Sequence, residues 1–542
     1  MNIKFLGAAK VVTGSNILIT TDRYKILLDC GMFQGSEQLE KLNFEAFGYD
    51  PSEIDFLILS HAHIDHSGRI PKLVKEGFKG KIISTRATYD LCKIMLVDSA
   101  NIQQSDVEWE NRKRERAGRP PVEPLYTVDD ANLSLKYFET YLYDQRIELN
   151  EDIVVRLRDA GHILGSAIIE LWIREDSNFT KIVFSGDLGM PGHTIINDPD
   201  FIEDADYLIM ESTYGDKIHD DIKESAKRLV EIINSTTMRG GTVIIPSFAV
   251  GRTQEIIYEL NKYYEYDKNV DEFMKIPIYV DSPMAVMATE AFTKNSNCFN
   301  EETKGLILRG DNPFEFANLF YIKTQEESMM LNKYNFPKVI ISASGMCTAG
   351  RIRHHLKHNI WDSKNSVVFV GYQAEGTLGR LILDGRKNIK ILGEEIRVDA
   401  QIHDLEGFSA HADQRVLMDW VRGFKIKPKK IFLVHGEETT EVLADLIESE
   451  LDIETIIPNL GDAFEIKDVV LRSQIGDTLE PVKKKQEIEK ELQRVYDQFE
   501  ALVYRTDKLI DPDFLDGEYD RLKNELLELQ KKLMDINIIL GK

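Results

Sequence analysis

The sequence predicts an α/β protein in which a domain built on a parallel sheet interrupts another domain, and a helical hairpin follows both. Three observations carry that expectation. Between residues 208 and 394, apolar runs end in small-residue loops and continue into helical stretches, the signature of parallel strands with crossover helices. On both sides of that block, isolated His and Asp residues stand just after strand-like runs, so the two flanking segments belong to one domain. Beyond residue 476, apolar residues keep heptad spacing. The expected divisions are 1–207 and 395–475 for the split domain, 208–394 for the insertion, and 476–542 for the hairpin.

In chain order, the first segment offers strands at Lys25 to Leu28, Phe56 to Leu59, Ile153 to Leu157, Ile168 to Ile173 and Lys181 to Phe184. Each is mostly apolar and carries at least one β-branched residue. Asn101 to Pro124 is highly charged and reads as a helix running into an exposed loop. The inserted block offers Tyr207 to Met210, Thr242 to Ile245, Ile278 to Val280, Lys338 to Ile341 and Val367 to Val370, with a helix at Thr253 to Tyr264. The closing segment offers strands at Ile396 to Ile402 and Lys430 to Val434. In the tail, Ile488, Leu492, Val495, Phe499, Leu502 and Leu509 form one seam, and Leu515, Leu522, Leu526, Leu529, Leu533 and Ile536 another. Asp511-Pro-Asp513 breaks them into an antiparallel hairpin, either packed on itself or serving as a partner arm, for instance in a homodimer.

Composition narrows the class. Apolar content of 43% and charged content of 29% describe a globular chain with enough residues, 542, for more than one core. No apolar run reaches the length of a membrane span, and the N-terminus enters a strand without a signal-peptide pattern, so a cytoplasmic protein with no membrane partner is expected. Cys30, Cys92, Cys298 and Cys347 form no C-x-x-C pair, which favours reduced thiols over disulfides or a thiolate metal site. The net charge of −24 at first sight argues against a polyanionic substrate, yet a metal pair or a local basic groove can still hold one. Basic clusters stand at residues 112–119, 351–358 and 425–430.

The densest chemistry lies in Leu57-Ile-Leu-Ser-His-Ala-His-Ile-Asp-His-Ser-Gly68. His61, His63, Asp65 and His66 make the pattern H-x-H-x-D-H directly after a strand. Neutral imidazoles and carboxylates together suit zinc and similar borderline ions. A strand end fixes the loop while its side chains converge; His61 and His63 can serve one ion and Asp65 with His66 a second. His162, His411 and His435 also occupy motif-like places, and Asp187, after a strand and a glycine, is the natural carboxylate to bridge two ions. Two metals about 3.5–4 Å apart can hold a hydroxide and steady an in-line displacement, which fits hydrolysis of a phosphodiester or an activated acyl compound.

These residues carry a resemblance. H-x-H-x-D-H, Gly-His162 and Gly-Asp187 resemble the metallo-β-lactamase superfamily. Glu211-Ser-Thr-Tyr-Gly, Gly-Phe-Ser-Ala-His411-Ala-Asp and Leu-Val-His435-Gly-Glu resemble its β-CASP branch, the nucleases related to the mRNA 3′-end-processing endonuclease and its bacterial and archaeal counterparts. The resemblance covers residues 1 to about 470 and omits the tail; the RNA-binding KH extension that precedes the nuclease in archaeal relatives is not expected here. It implies a four-layer αββα sandwich with an inserted β-CASP domain and two zinc ions. His61, His63 and His162 would hold the first ion, Asp65, His66 and His435 the second, with Asp187 bridging. It further implies that His411 is the general acid, oriented by Glu211, a pairing that keeps imidazole in its donor form.

Ser342-Ala-Ser-Gly-Met346 precedes a stretch with Arg351, Arg353, His354 and His355 that reads as a helix, and Ser344 and Gly345 would seat a substrate phosphate at its N-terminus; an ordinary tight turn is the alternative. Arg252 and Arg380 are further phosphate candidates. The function implied is a zinc-dependent ribonuclease acting on single-stranded RNA, endonucleolytic in the first instance, leaving a 5′-phosphate and a 3′-hydroxyl. His435 favours RNA over DNA, because DNA-repair members of the branch tend to lack it. The rivals are a 5′-to-3′ exoribonuclease of the same branch, a thioesterase or lactonase, and an inactive RNA-binding scaffold.

Overall fold

A computed structural model describes residues 1–175, 178–266, 276–374 and 376–466, together with single helical positions between 491 and 532. Residues Met1–Ile475 form one compact unit and Gly476–Lys542 another. Described tail positions such as Glu491, Arg494 and Val495 are helical. The expected hairpin as a whole, with its break at Asp511-Pro-Asp513, lies outside the described residues.

Two seven-stranded sheets stack face to face in the first unit. One runs in the spatial order Ala463–Glu465, Asn2–Phe5, Ile17–Thr20, Lys25–Leu28, Phe56–Ile58, Lys81–Thr85 and Phe138–Tyr141. The other runs Glu454–Ile456, Lys430–Val434, Tyr207–Glu211, Asn178–Phe184, Ala167–Glu175, Ile153–Asp159 and Ile147–Glu148. Strand side chains alternate faces, and the sequence uses both faces for apolar groups. Ile3, Phe5, Ile17, Ile19, Ile26 and Leu28 point inward to meet Val155, Leu157, Ile169, Ile182, Phe184, Ile209 and Phe432 of the opposing sheet. Leu18, Leu27 and Leu57 point outward against helices, as do Leu208, Met210, Ile431 and Leu433 on the far side. Fully burying each such side chain contributes about 1.5–3 kcal/mol. Helix, sheet, sheet, helix is the four-layer arrangement expected.

A third sheet, of six parallel strands, has the order Leu319–Tyr321, Ile278–Val280, Lys338–Ser342, Thr242–Pro246, Ser366–Phe369 and Gln401–Asp404. Two pairings differ from the sequence expectation. Tyr207–Glu211 sits between Asn178–Phe184 and Lys430–Val434 in the sandwich, although the boundary was placed after 207. Gln401–Asp404 pairs with Ser366–Phe369 in the inserted sheet, although the boundary was placed before 395. The run 396–402 is not one strand: Glu394–Arg397 pairs with Asn388–Ile391 in a separate ribbon. The helix Arg86–Arg116 ends in an exposed loop, as its charge pattern implied. All four cysteines are free and buried, and burial pushes the Cys30 thiol up to about 12.

A buried polar knot fixes the inserted sheet's edge. The Asp281 carboxylate, with no exposed surface, accepts hydrogen bonds from His355 Nε2 at 2.6 Å, from Arg351 Nη1 at 2.6 Å and from Ser328 Oγ. Burial pushes the Asp281 pKa up, but the His355 and Ser328 hydrogen bonds and the nearby cations hold it below its usual 3.8. A depressed carboxylate pKa contributes stability above the unfolded value that disappears as pH falls below it. Asp281→Ala leaves Arg351 and His355 without their shared acceptor, so a loss of about 3 kcal/mol is expected in a denaturant titration at pH 7.

Candidate metal centre

Parallel pairing brings the polar residues to common edges. Lys25–Leu28 and Phe56–Ile58 are parallel neighbours with Leu28 opposite Ile58, so Asp29 and the His61 loop leave the first sheet together. In the second sheet, Phe184 lies opposite Ile209 and Glu211 opposite Val434. Asp187, Glu211 and His435 therefore leave three adjacent strands at one end. The Ala167 amide donates to Ser60 O at 2.8 Å and ties the two edges together. Gly186 makes the turn into Asp187 with φ +54°, where a Cβ would lie 2.8 Å from Ser60 Cβ; only glycine fits both the backbone angle and the space.

His61, His63, His162 and Asp187 converge, and so do Asp65, His66 and His435. His63 Nδ1 lies 3.1 Å from His61 Nε2 and 3.2 Å from His162 Nε2. In the second group, His66 Nε2 and His435 Nε2 are 3.1 Å apart, and Asp65 Oδ2 is 3.4 Å from His435 Nε2. Asp187 Oδ2 stands between them, 3.4 Å from His61 Nε2, 3.6 Å from His162 Nε2 and 3.3 Å from His66 Nε2. Ligands at 2.0–2.1 Å around a tetrahedral ion lie roughly 3.3 Å apart, which is the spacing of these atoms. Asp187 Oδ1 is also buried, with no hydrogen-bond partner among the described residues. The donor set fits a divalent metal ion.

The surrounding hydrogen bonds choose which nitrogen faces inward. His66 Nδ1 lies 2.6 Å from Asp29 Oδ2, and Asp29 also accepts from the Ser60 amide at 2.8 Å, Ser60 Oγ at 2.9 Å and Ser15 Oγ at 3.1 Å. His162 Nδ1 faces Ala410 O at 3.3 Å. In both, the outer nitrogen is the donor and Nε2 is left for a cation, the usual support of a metal-binding imidazole. Burial, with the His66 charge beside it, holds His61 well below its ordinary pKa, and burial brings His63 down to about 4. Burial opposes charge on His66 also, but Asp187 and Asp29 outweigh it and raise that pKa. Burial pushes the Asp187 pKa up, but the His435 and His66 imidazoles beside it and the His66 hydrogen bond outweigh that and hold it well below 3.8.

His411 and Glu211 adjoin this cluster. His411 Nδ1 is 3.2 Å from Glu211 Oε2 and 3.9 Å from Asp187 Oδ2, while His411 Nε2 makes no protein hydrogen bond among the described residues. Glu211 is fully buried; its Oε1 accepts from the Leu188 amide and its Oε2 from Thr213 Oγ1 at 2.6 Å. Burial lowers the His411 pKa, but the Glu211 charge and hydrogen bond prevail and raise it to about 9.

The phosphate candidates are placed differently from expectation. The helix begins only at Ile352, so Ser344 and Gly345 lie in the preceding loop and not at its N-terminus. Ser344 Oγ accepts from the Thr348 amide at 3.1 Å and the Ala349 amide at 3.3 Å, the ordinary tight turn. Arg252 is 6% exposed and its guanidinium is paired with Glu255 one turn along the same helix, so it is a buried structural ion pair. Arg380 is half-exposed and pairs with Asp384 at 2.8 Å. Sequence reasoning passed over Asp29 and Thr213. The signal for Asp29 was Leu27-Leu-Asp-Cys-Gly31, a carboxylate at a strand end like Asp187.

Comparisons agree with this geometry. Three family models match in succession: the Metallo-beta-lactamase superfamily over residues 9–235, the Beta-Casp domain over 253–382, and the Zn-dependent metallo-hydrolase RNA specificity domain over 395–458. Ribonuclease TTHA0252 of Thermus thermophilus is 39% identical over 81% of this chain and 94% of its own length. Transcription termination factor FttA of Methanocaldococcus jannaschii is 32% identical over 86% of this chain and 72% of its own length. A crystal structure of a protein of unknown function from Enterococcus faecalis shares the fold, with a TM-score of 0.50 at 14% identity, over 85% of this chain and 99% of that one. Identity and coverage at this level, together with the family models that match in succession, establish that the chain belongs to the metallo-β-lactamase superfamily, in the branch that carries a Beta-Casp domain.

Proposed function

We propose that the chain is a zinc-dependent ribonuclease that hydrolyses phosphodiester bonds of single-stranded RNA, cutting internally. The carrying observation is the meeting of two donor groups at Asp187 with the His411–Glu211 pair beside them. His61, His63 and His162 would hold one zinc ion, Asp65, His66 and His435 the other, and Asp187 both. Ions bound there supply a nucleophile at neutral pH and neutralise charge on the phosphate.

The chain's own residues do the rest. Glu211 Oε2 holds the Nδ1 proton of His411, which leaves the Nε2 proton for the departing 3′ oxygen. The product ends are then a 3′-hydroxyl and a 5′-phosphate. Asp29 keeps Nε2 of His66 turned inward, so Asp29→Asn should weaken the zinc on that side by roughly 10–100-fold in a chelator competition while the fold remains. The relatives named as a ribonuclease and a termination factor, and the RNA specificity domain match, support RNA as the substrate.

The reading is tested with RNA labelled at its 5′ or 3′ end. Internal fragments from both labels, abolished by chelator and restored by zinc, are expected. Mononucleotides released from the 5′ end alone would favour the exonuclease, and turnover of thioesters or lactones without RNA cleavage would overturn the reading.

A further inference from the structure

We infer that Thr213 is a positioning residue: its hydroxyl fixes the tautomer of His435 and couples that histidine to the Glu211–His411 pair. The inference rests on the proposed assignment of His435 to a metal ion. Thr213 stands two residues beyond the strand Tyr207–Glu211, whose last residue lies opposite Val434, so it emerges beside His435. Its Oγ1 is 2.6 Å from Glu211 Oε2, 3.0 Å from His435 Nδ1 and 3.1 Å from His435 O.

A hydroxyl has one proton to give and two lone pairs to receive. The carboxylate oxygen, closest of the three and able only to accept, takes the proton. Thr213 Oγ1 is then an acceptor toward His435 Nδ1, which must carry the ring's hydrogen. That leaves the lone pair on Nε2, the atom 3.1 Å from His66 Nε2 and 3.4 Å from Asp65 Oδ2. Glu211 Oε2 also receives His411 Nδ1 at 3.2 Å. One carboxylate oxygen thus orients His411 directly and His435 through Thr213. His435 has a left-handed backbone, φ 52°, so its main chain is already committed and the ring needs a side-chain partner to set its rotation.

Removing the hydroxyl without changing the shape isolates this role. Thr213→Val should fold with an unchanged melting temperature within a few degrees, yet bind the weaker zinc equivalent about 10–100-fold less tightly, read with a chromophoric chelator on the metal-free protein. Thr213→Ser, which restores the hydroxyl, should recover most of that affinity, and His435→Ala should lose that equivalent altogether. Unchanged zinc affinity in Thr213→Val, alongside loss in His435→Ala, overturns the Thr213 role alone. Unchanged zinc binding in His435→Ala overturns the metal assignment and this inference with it. If Thr213→Val proves unstable, failure of Thr213→Ser to bind zinc like the parent chain overturns the inference.

Discussion

Asp187→Asn should bring RNA cleavage down by about 10³-fold or more and leave less than one tightly held zinc per chain. The reasoning is electrostatic. Asp187 Oδ2 is the carboxylate oxygen that histidines of both donor groups face through Nε2, at 3.3 Å for His66, 3.4 Å for His61 and 3.6 Å for His162. Its carboxylate is buried, and the surrounding imidazoles hold it ionised against that burial. An amide keeps the shape but removes the charge that two cations would share. Metal stabilisation of the reacting phosphate amounts to several kcal/mol, and each 1.4 kcal/mol is tenfold in rate. Zinc quantified by plasma emission after gel filtration, with cleavage measured on the same samples, checks both halves. Full zinc content with unchanged cleavage would remove Asp187 from the centre.

His411→Ala has a different expected profile: zinc content near that of the parent chain, with cleavage slower by about 10²–10⁴-fold, the range of general acid catalysis. His411 Nδ1 is engaged by Glu211, which leaves Nε2 as the only proton available. The pH dependence has a definite sign. His411 is raised to about 9, so its proton is retained through neutrality, and its contribution declines as pH rises through that region. In Glu211→Gln the charge that raises this pKa is gone, and the alkaline fall in kcat should move to lower pH. Loss of zinc from His411→Ala would instead make it a ligand.

Much of this site was legible because its residues are of a kind that strand ends seldom collect. Three histidines and an aspartate in H-x-H-x-D-H, followed by His162, Asp187 and His435 after later strands, name the participants before any coordinates. What local pattern cannot supply is pairing. Tyr207–Glu211 is buried on both faces, as any strand between parallel neighbours is, so its sequence does not say which sheet it joins. The run 396–402 is apolar enough for one strand, yet contacts with Asn388–Ile391 and Ser366–Phe369 divide it between sheets. Asp29 acts on His66 across 37 positions of sequence, a distance over which neither residue announces the other. Arg252 stands in Val-Gly-Arg-Thr-Gln, a pattern that shows neither its burial nor its pairing with Glu255.

Anomalous scattering at the zinc edge from crystals of the zinc-loaded protein tests the central claim most directly. Two peaks are predicted, one among His61, His63 and His162, the other among Asp65, His66 and His435, with Asp187 between them. A single peak, or zinc held away from these side chains, would contradict it.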